Sequence, residues 1–228
     1  MSTGGTGGAV LFDLDGTLVD TPAGMTAVLR RVVAEHGGTA SEAQLRATVG
    51  RPLAASLALL LGLPDGHPGA ERAAARAREL FTELVIPSAR DLVFPGVPEV
   101  LDRLREHGRP LAVVTSKVHR SAVELLAAAG LLDHFGVLAC HGMAERGKPH
   151  PDLALLAADR LGVAPAGCLV VGDAVDDVVM ARAAGMTALG VATGVATTDE
   201  LLTAGASAVH ADVVRLGEAL LPFHSVSR

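Results

Sequence analysis

Aromatic side chains are almost absent from this chain of 228 residues, which contains five Phe and neither Trp nor Tyr. Proteins that hold single-stranded nucleic acid stack the bases on aromatic rings, so this shortage argues against such a function. The chain also lacks a block of basic residues, and its formal charge is −6 at pH 7. Because a positively charged surface is missing, we expect no nucleic-acid partner.

Cysteine is scarce, and long apolar runs are missing. Cys140 and Cys168 are the only cysteines and form no CxxC pair, so we expect both to be reduced core residues. The longest apolar stretch, residues 53–63, is too short to span a bilayer. Residues 1–8 are rich in Gly, Ser and Thr, lack the features of a signal peptide, and are predicted to be a disordered tail. These features predict a cytoplasmic protein with no membrane partner.

Hydrophobic residues, by contrast, make up 50% of the chain, and the first strong pattern is FDLDGTLVD at residues 12–20. An apolar run that ends in polar residues is typical of a buried parallel strand whose C-terminal end lies at a site. Asp13 and Asp15 would share one face of a regular strand, where two carboxylates repel each other unless a cation intervenes. The alternative is a strand end with two solvated acids and a turn at Gly16.

Helical and extended patterns follow along the chain. Apolar spacings of three and four predict helices at 23–36, 42–49, 53–61, 70–84, 98–107, 121–129, 153–161, 178–184, 198–205 and 213–221. Short apolar runs predict further strands at 111–114, 137–140, 168–171, 187–191 and 208–210. Four helices therefore separate the first strand from the second, whereas the remainder alternates in the manner of a parallel α/β sheet.

Three later segments carry polar residues close to predicted strand ends or helix starts. Thr115 opens the sequence Thr-Ser-Lys after the second strand, and Lys148 stands before Pro149 near a helix start. Asp173 and Asp177 follow the fourth predicted strand, 168–171, in the sequence GDAVDD. Each has an ordinary alternative: a Thr at a helix entry, a solvated Lys, and acids that complement a helix dipole.

The four segments in this order resemble the motifs of the haloacid dehalogenase-like (HAD) phosphohydrolases: DxDGT, a strand-end Thr, a Lys, and GDxxxD. The resemblance implies an α/β fold with a Rossmann-like, three-layer core, a parallel sheet and a small all-helical cap. Residues 1–20 and 88–228 would form the core, with residues 1–8 as the tail. Residues 21–87 would form the cap, inserted after the first strand. Within the superfamily the chain is most similar to phosphoglycolate phosphatase-like members.

The resemblance further implies a Mg²⁺-dependent phosphatase that acts through an aspartyl-phosphate. Asp13 would be the nucleophile and Asp15 the general acid and base. Thr115 and Lys148 would complete the catalytic set by binding the phosphoryl oxygens. Mg²⁺ prefers oxygen ligands, and the implied metal ligands are Asp13, Asp15, Asp173 and Asp177. The expected substrate contacts are Gly16, Arg51, Ser116 and Lys117.

Differences from other branches of the superfamily favour hydrolysis. Dehalogenases lack the second acid, which is present here as Asp15, and mutases carry a hinge His where this chain reads PAGM at 22–25. Phosphonatases use a cap Lys, and residues 21–90 contain none. We therefore expect a small phosphorylated metabolite, phosphoglycolate-like, as the substrate of a monomer or homodimer. The alternatives are an inorganic pyrophosphatase, a sugar-phosphate phosphatase, or a catalytically silent binding protein on a HAD scaffold, and Arg51 is alternatively a solvated surface residue.

Overall fold

A parallel β-sheet forms the centre of the computed structural model, which describes residues 8–221. All but the last residue of the predicted tail, namely 1–7, lie outside the described residues. The strands are β1 Val10–Phe12, β2 Leu111–Val118, β3 Val137–His141, β4 Leu169–Gly172, β5 Thr187–Val191 and β6 Ala208–His210. Their spatial order is β3-β2-β1-β4-β5-β6, and every neighbouring pair is parallel.

Ten α-helices are found among residues 8–221. They are α1 Pro22–Glu35, α2 Glu42–Arg46, α3 Leu53–Leu60, α4 Pro68–Leu84, α5 Val97–Glu106, α6 His119–Ala129, α7 Asp152–Leu161, α8 Val175–Ala183, α9 Thr198–Ala204 and α10 Val213–Leu220. None of the helices in this range is long and apolar enough to cross a membrane. Helices α1 to α4, which we call the helical insertion, lie between β1 and the rest of the sheet along the chain.

Helices cover both faces of the sheet because alternate side chains of each buried strand point to opposite sides. Phe12 of β1 packs into one buried cluster together with residues of α5, α6 and α10. Leu11, its neighbour, packs into a second cluster with residues of α7, α8 and α9. The predicted α/β fold with a three-layer core is therefore confirmed. Cys140 and Cys168 are both buried and free, as expected.

The helical insertion joins the core through two stretches of chain that pair with each other. The Asp20 amide donates to the Leu92 carbonyl at 2.7 Å, and the Phe94 amide donates to the Leu18 carbonyl at 3.1 Å. Buried residues of the insertion, such as Leu29, continue the first core cluster without a break. The insertion is thus seated on the core through an apolar interface beside the paired connections.

Most predicted boundaries fall within one or two residues of the observed ones, with three informative differences. Strand β1 ends at Phe12, so Asp13 and Asp15 lie beyond the strand and do not share a regular strand face. Strand β2 continues to Val118, four residues past its predicted end, through an irregular register with β3. Helix α2 ends at Arg46 rather than 49, because the chain turns there.

Candidate active site

The strand order places the predicted site residues together. The chain moves outward from β1 to β3 and then returns to β4, so β1 and β4 meet where the order reverses, which is the position where open α/β sheets bind ligands. Asp13 follows β1, Thr115 lies in the last part of β2, and Asp173 follows β4. Asp177 lies in the first turn of α8. These residues come from widely separated parts of the chain and meet at the C-terminal ends of the strands, which we call one edge of the sheet.

Lys148 is the cation at the centre of this edge. Its ammonium lies 2.5 Å from Asp13 Oδ1 and 2.5 Å from Asp177 Oδ1, and its side chain is only 4% exposed. Burial acts against the positive charge, but the two carboxylates outweigh that effect and raise the pKa of Lys148. Lys148 therefore stays protonated and carries a fixed positive charge between the two acids.

The loop that carries Lys148 is anchored by an ion pair at its far end. Arg146 donates from its backbone amide and its Nε to Asp152 Oδ2, and its Nη2 lies 2.9 Å from Asp152 Oδ1. Asp152 is the first residue of α7, so the pair ties the loop to the start of that helix. A bidentate Arg–carboxylate contact fixes geometry as well as charge, and here it restricts the loop on which Lys148 is presented.

Three buried carboxylates surround the space next to Lys148. Oxygen atoms of Asp13, Asp173 and Asp177 all lie within 4.8 Å of one another. Burial raises the pKa of Asp13 well above its usual range; Lys148 opposes this shift, and the neighbouring acids add to it. Burial also raises the pKa of Asp173 to about 6, with the charge of Asp177 as the next cause. The single charge of Lys148 does not balance three carboxylates, and their hard oxygen donors suit a divalent cation such as Mg²⁺.

Asp173 is held by residues that sequence reasoning did not identify. Thr17 Oγ1 donates to its Oδ1 at 2.9 Å, and the Val195 amide donates to its Oδ2 at 2.9 Å. A Cβ at Gly194 would lie 1.8 Å from Oδ2, so only glycine allows this close approach. Thr17 stands in the first motif and could have been singled out there, whereas nothing in the sequence connects residues 194 and 195 with residue 173.

Asp15 lies two residues after Asp13 in the chain and has different partners. Its Oδ1 accepts from the Thr21 hydroxyl and lies 3.0 Å from Lys117 Nζ. The Lys117 ammonium also lies 4.2 Å from the ring centroid of Phe81, a residue of α4. The Thr115 hydroxyl, which is buried, accepts from the Lys117 amide at 3.1 Å. Lys117 therefore contacts Asp15 directly, although sequence reasoning assigned it to the substrate.

Gly16 allows the backbone conformation of the loop after β1. Its φ of +82° is in the left-handed region, and its amide donates to the Val19 carbonyl at 2.8 Å. A Cβ there would lie 2.7 Å from Asp173 Oδ2. The Gly16 amide therefore forms its hydrogen bond within the loop. The lack of a side chain lets the backbone pass close to Asp173.

Two cavities open between the helical insertion and the strand ends, and both reach Asp13 and Asp15. The larger has a volume of about 750 Å³ and is bordered by α1, α2 and the start of α8. The smaller has a volume of about 180 Å³ and is bordered by α3, α4 and the end of β2, including Ser116 and Lys117. Arg51, which is exposed, borders both cavities, and its guanidinium makes no hydrogen bond or ion pair with other residues in the range 8–221.

Known proteins with similar sequences identify the family. The profile of the haloacid dehalogenase-like hydrolases matches residues 8–185. "Probable phosphatase IndB" of Dickeya dadantii is 41% identical over 220 residues, which are 95% of this chain and 96% of that protein. The chain belongs to the haloacid dehalogenase-like hydrolase family.

Further HAD relatives agree in sequence and in fold. The phosphoglycolate phosphatase of Shigella flexneri is 34% identical over 204 residues, 81% of each chain. The crystal structure of a hydrolase from Pseudomonas syringae superposes with a TM-score of 0.82 at 27% identity, covering 93% of this chain and 97% of that one. The predicted family and the predicted class of enzyme, a phosphatase, are confirmed.

The raised pKa of Asp173 predicts how the metal-free protein responds to pH. An Asp whose pKa is higher in the folded state stabilises the fold fully below its unfolded pKa, and that contribution is lost as pH rises through the folded value. With an unfolded pKa of about 3.9 and a folded pKa of about 6, the loss falls between about pH 4 and pH 6. In EDTA, the unfolding free energy of Asp173→Asn should therefore increase relative to wild type from pH 4 to pH 7, measured by urea denaturation.

The control for this series is Asp159→Asn, which changes an exposed acid on α7. This control should follow the wild type at every pH, because the Asp159 side chain is exposed and is not part of the acid cluster. A constant difference between Asp173→Asn and wild type from pH 4 to pH 7 would contradict the raised pKa.

Proposed function

We propose that the protein is a Mg²⁺-dependent phosphatase that hydrolyses a small phosphorylated metabolite through an aspartyl-phosphate on Asp13. The observation that carries the proposal is the buried Lys148 ammonium, 2.5 Å from both Asp13 and Asp177. An anionic phosphate can approach the Asp13 carboxylate only where such charge compensation is available. A catalytically silent binding protein has no need of this arrangement.

In the first step an oxygen of Asp13 attacks phosphorus, and the bond from phosphorus to the ester oxygen breaks. Asp15 supplies the proton that the leaving oxygen requires. Its Oδ1 already accepts from Thr21 and Lys117, so Oδ2 is the oxygen left for this proton. In the second step Asp15 takes a proton from water, which attacks phosphorus and frees Asp13.

Positive charge and donors around the phosphoryl group come from Lys148, Thr115 and the bound metal. Mg²⁺ would be held by Asp13, Asp173 and Asp177 together with the Asp15 main-chain carbonyl, and it would neutralise charge on the phosphoryl oxygens. The close carboxylate cluster fits this assignment. Lys148 and the Thr115 hydroxyl would hold the remaining phosphoryl oxygens.

We assign the role of a cap to the helical insertion, with residues 21–87 as its bounds. Residues 88–228 and the chain up to residue 20 would form the core beneath it. A cap excludes water while the aspartyl-phosphate exists and selects the leaving group. Arg51 borders both cavities and can bind an anionic group of the substrate, and Ser116 and Lys117 also line the smaller cavity. The small size of that cavity favours a short leaving group, in line with relatives named phosphoglycolate phosphatase.

The nucleophile is tested with Asp13→Asn, which removes the attacking oxygen with little change in volume. We expect kcat for phosphate release to fall by at least about a thousandfold, since a group that forms the covalent intermediate has no substitute. The assay should compare phosphoglycolate, sugar phosphates and pyrophosphate with added Mg²⁺. Asp159→Asn serves as the matched control, and near-native turnover by a folded Asp13→Asn variant would overturn the assignment.

Metal removal gives a second test. Excess EDTA should abolish phosphate release and Mg²⁺ should restore it. Ca²⁺ should restore it poorly, because its larger and more flexible ligand shell places the Asp13 carboxylate differently. The same additions should be followed by thermal unfolding, where Mg²⁺ should raise Tm by binding only to the folded protein. Full activity in excess chelator would rule out the metal role of the acid cluster.

Arg51→Ala tests the role of the cap in specificity. A charge-assisted hydrogen bond contributes about 1.5–3 kcal/mol, so kcat/KM for the preferred anionic substrate should fall about 10- to 150-fold. On p-nitrophenyl phosphate, which lacks a second anionic group, the change should stay within about twofold. Arg72→Ala, also exposed on the helical insertion, is the control and should change neither value. Equal losses on both substrates would return Arg51 to a solvated surface role.

A further inference from the structure

Both lysines of this protein lie at the candidate active site. The 228 residues contain only two lysines, Lys117 and Lys148, against 17 arginines. Their side chains are 11% and 4% exposed, so both ammonium groups are largely removed from water. Lys148 has a place in the proposed mechanism through its contacts with two acids. Within residues 8–221, Lys117 forms an ion pair with one acid, Asp15, and its ammonium also contacts an aromatic ring.

That ring belongs to the helical insertion, whereas Lys117 belongs to the core. Phe81 lies near the end of α4, is 5% exposed, and presents its ring 4.2 Å from the Lys117 ammonium. The next residue, Thr82, donates from its hydroxyl to Glu124 on α6 at 3.1 Å. Two successive residues of α4 therefore contact the core at one wall of the smaller cavity.

The face of an aromatic ring attracts a cation, and the attraction grows when the cation is withdrawn from water. Lys117 is a long, flexible side chain beside a cavity, so its ammonium needs contacts on more than one side to keep a single position. Asp15 Oδ1 supplies one contact at 3.0 Å, and the Phe81 ring supplies the other. Without the ring, the ammonium could turn into the cavity and leave Asp15.

We infer that Phe81 is a positioning residue: its ring holds the Lys117 ammonium against Asp15 Oδ1 while the helical insertion is seated on the core. In this way a residue of the helical insertion controls the orientation of Asp15. The contact of Asp15 Oδ1 with Lys117 directs Oδ2 toward the leaving group. The importance of that orientation rests on the proposed function, whereas the contact between ring and ammonium does not.

The contact is tested by NMR on full-length protein that carries ¹³C- and ¹⁵N-labelled lysine. Only two lysine spin systems exist, and Lys117→Arg assigns them. The Lys117 ε-methylene protons should lie upfield of their random-coil position, because the ammonium nitrogen to which this carbon is bonded lies over the Phe81 ring. In Phe81→Leu they should return toward that position, while Leu80→Val, which changes a buried neighbour on α4, should leave both lysines unmoved. Random-coil shifts in the wild type would overturn the inference.

The electrostatic contribution of the Phe81 ring to its contact with Lys117 is tested by replacing Phe81 alone with mono-, di- and pentafluorinated phenylalanine. Fluorine removes negative charge from the ring face and nearly keeps its shape and apolar area, so this series tests the ring even if Phe81→Leu lowers stability. We expect kcat on p-nitrophenyl phosphate to decrease in steps, by about 3- to 30-fold over the series, and KM to change less than twofold. A purely apolar role for the ring predicts a constant kcat, and that result would overturn the inference.

The two measurements separate this inference from the proposed function. The NMR measurement needs no substrate, so a protein that hydrolyses no phosphate ester would refute the proposed function while the lysine shifts still decide the contact. A lysine shift that responds to fluorination, combined with a constant kcat, would refute the positioning role and leave the phosphatase assignment intact.

Discussion

Charge compensation by one buried ammonium is the constraint on which the site depends. Oxygen atoms of three buried carboxylates lie within 4.8 Å of one another. Burial, together with repulsion from the neighbouring acids, raises the pKa of Asp13 and Asp173. Lys148 contacts two acids of the site at 2.5 Å, and burial of a charge is tolerated only with such pairing. One ammonium does not balance three acids, so the composition of the cluster suits a divalent cation.

The topology of the fold brings the charged groups of the site together. Strands β1 and β4 lie side by side although more than 150 residues separate them in the chain, so acids that follow each strand meet at one edge. Lys148 comes from a loop that an Arg–carboxylate pair ties to α7. Gly16 and Gly194 allow the backbone to approach Asp173 closely. The cation and the acids are therefore fixed by rigid elements, and electrostatic stabilisation of a transition state requires that rigidity.

Much of this arrangement can be predicted from the sequence, because local patterns carry it. Apolar periodicity located the strands and helices, and the motif spacing located Asp13, Lys148 and Asp173. Contacts between residues far apart in the chain could not be predicted: residue 195 supports residue 173, and Phe81 meets Lys117 across the junction of the helical insertion and the core. The extension of β2 to Val118 was also missed, because its polar residues interrupt the apolar run although pairing with β3 keeps them extended.

The distribution of lysine and arginine follows from the different tasks of the two regions. The helical insertion contains arginines and no lysine, and both lysines lie at the candidate active site. An ammonium is a compact point charge that can fit between carboxylates in a nearly closed pocket, whereas the planar guanidinium presents a fork suited to an anionic group at an open cavity. Arg51 at the cavity border and Lys148 at the acid cluster match this division. Under the proposed function, chemistry common to all phosphate esters would belong to the core, and discrimination among leaving groups would belong to the helical insertion. The contact between Phe81 and Lys117 would then link the two regions.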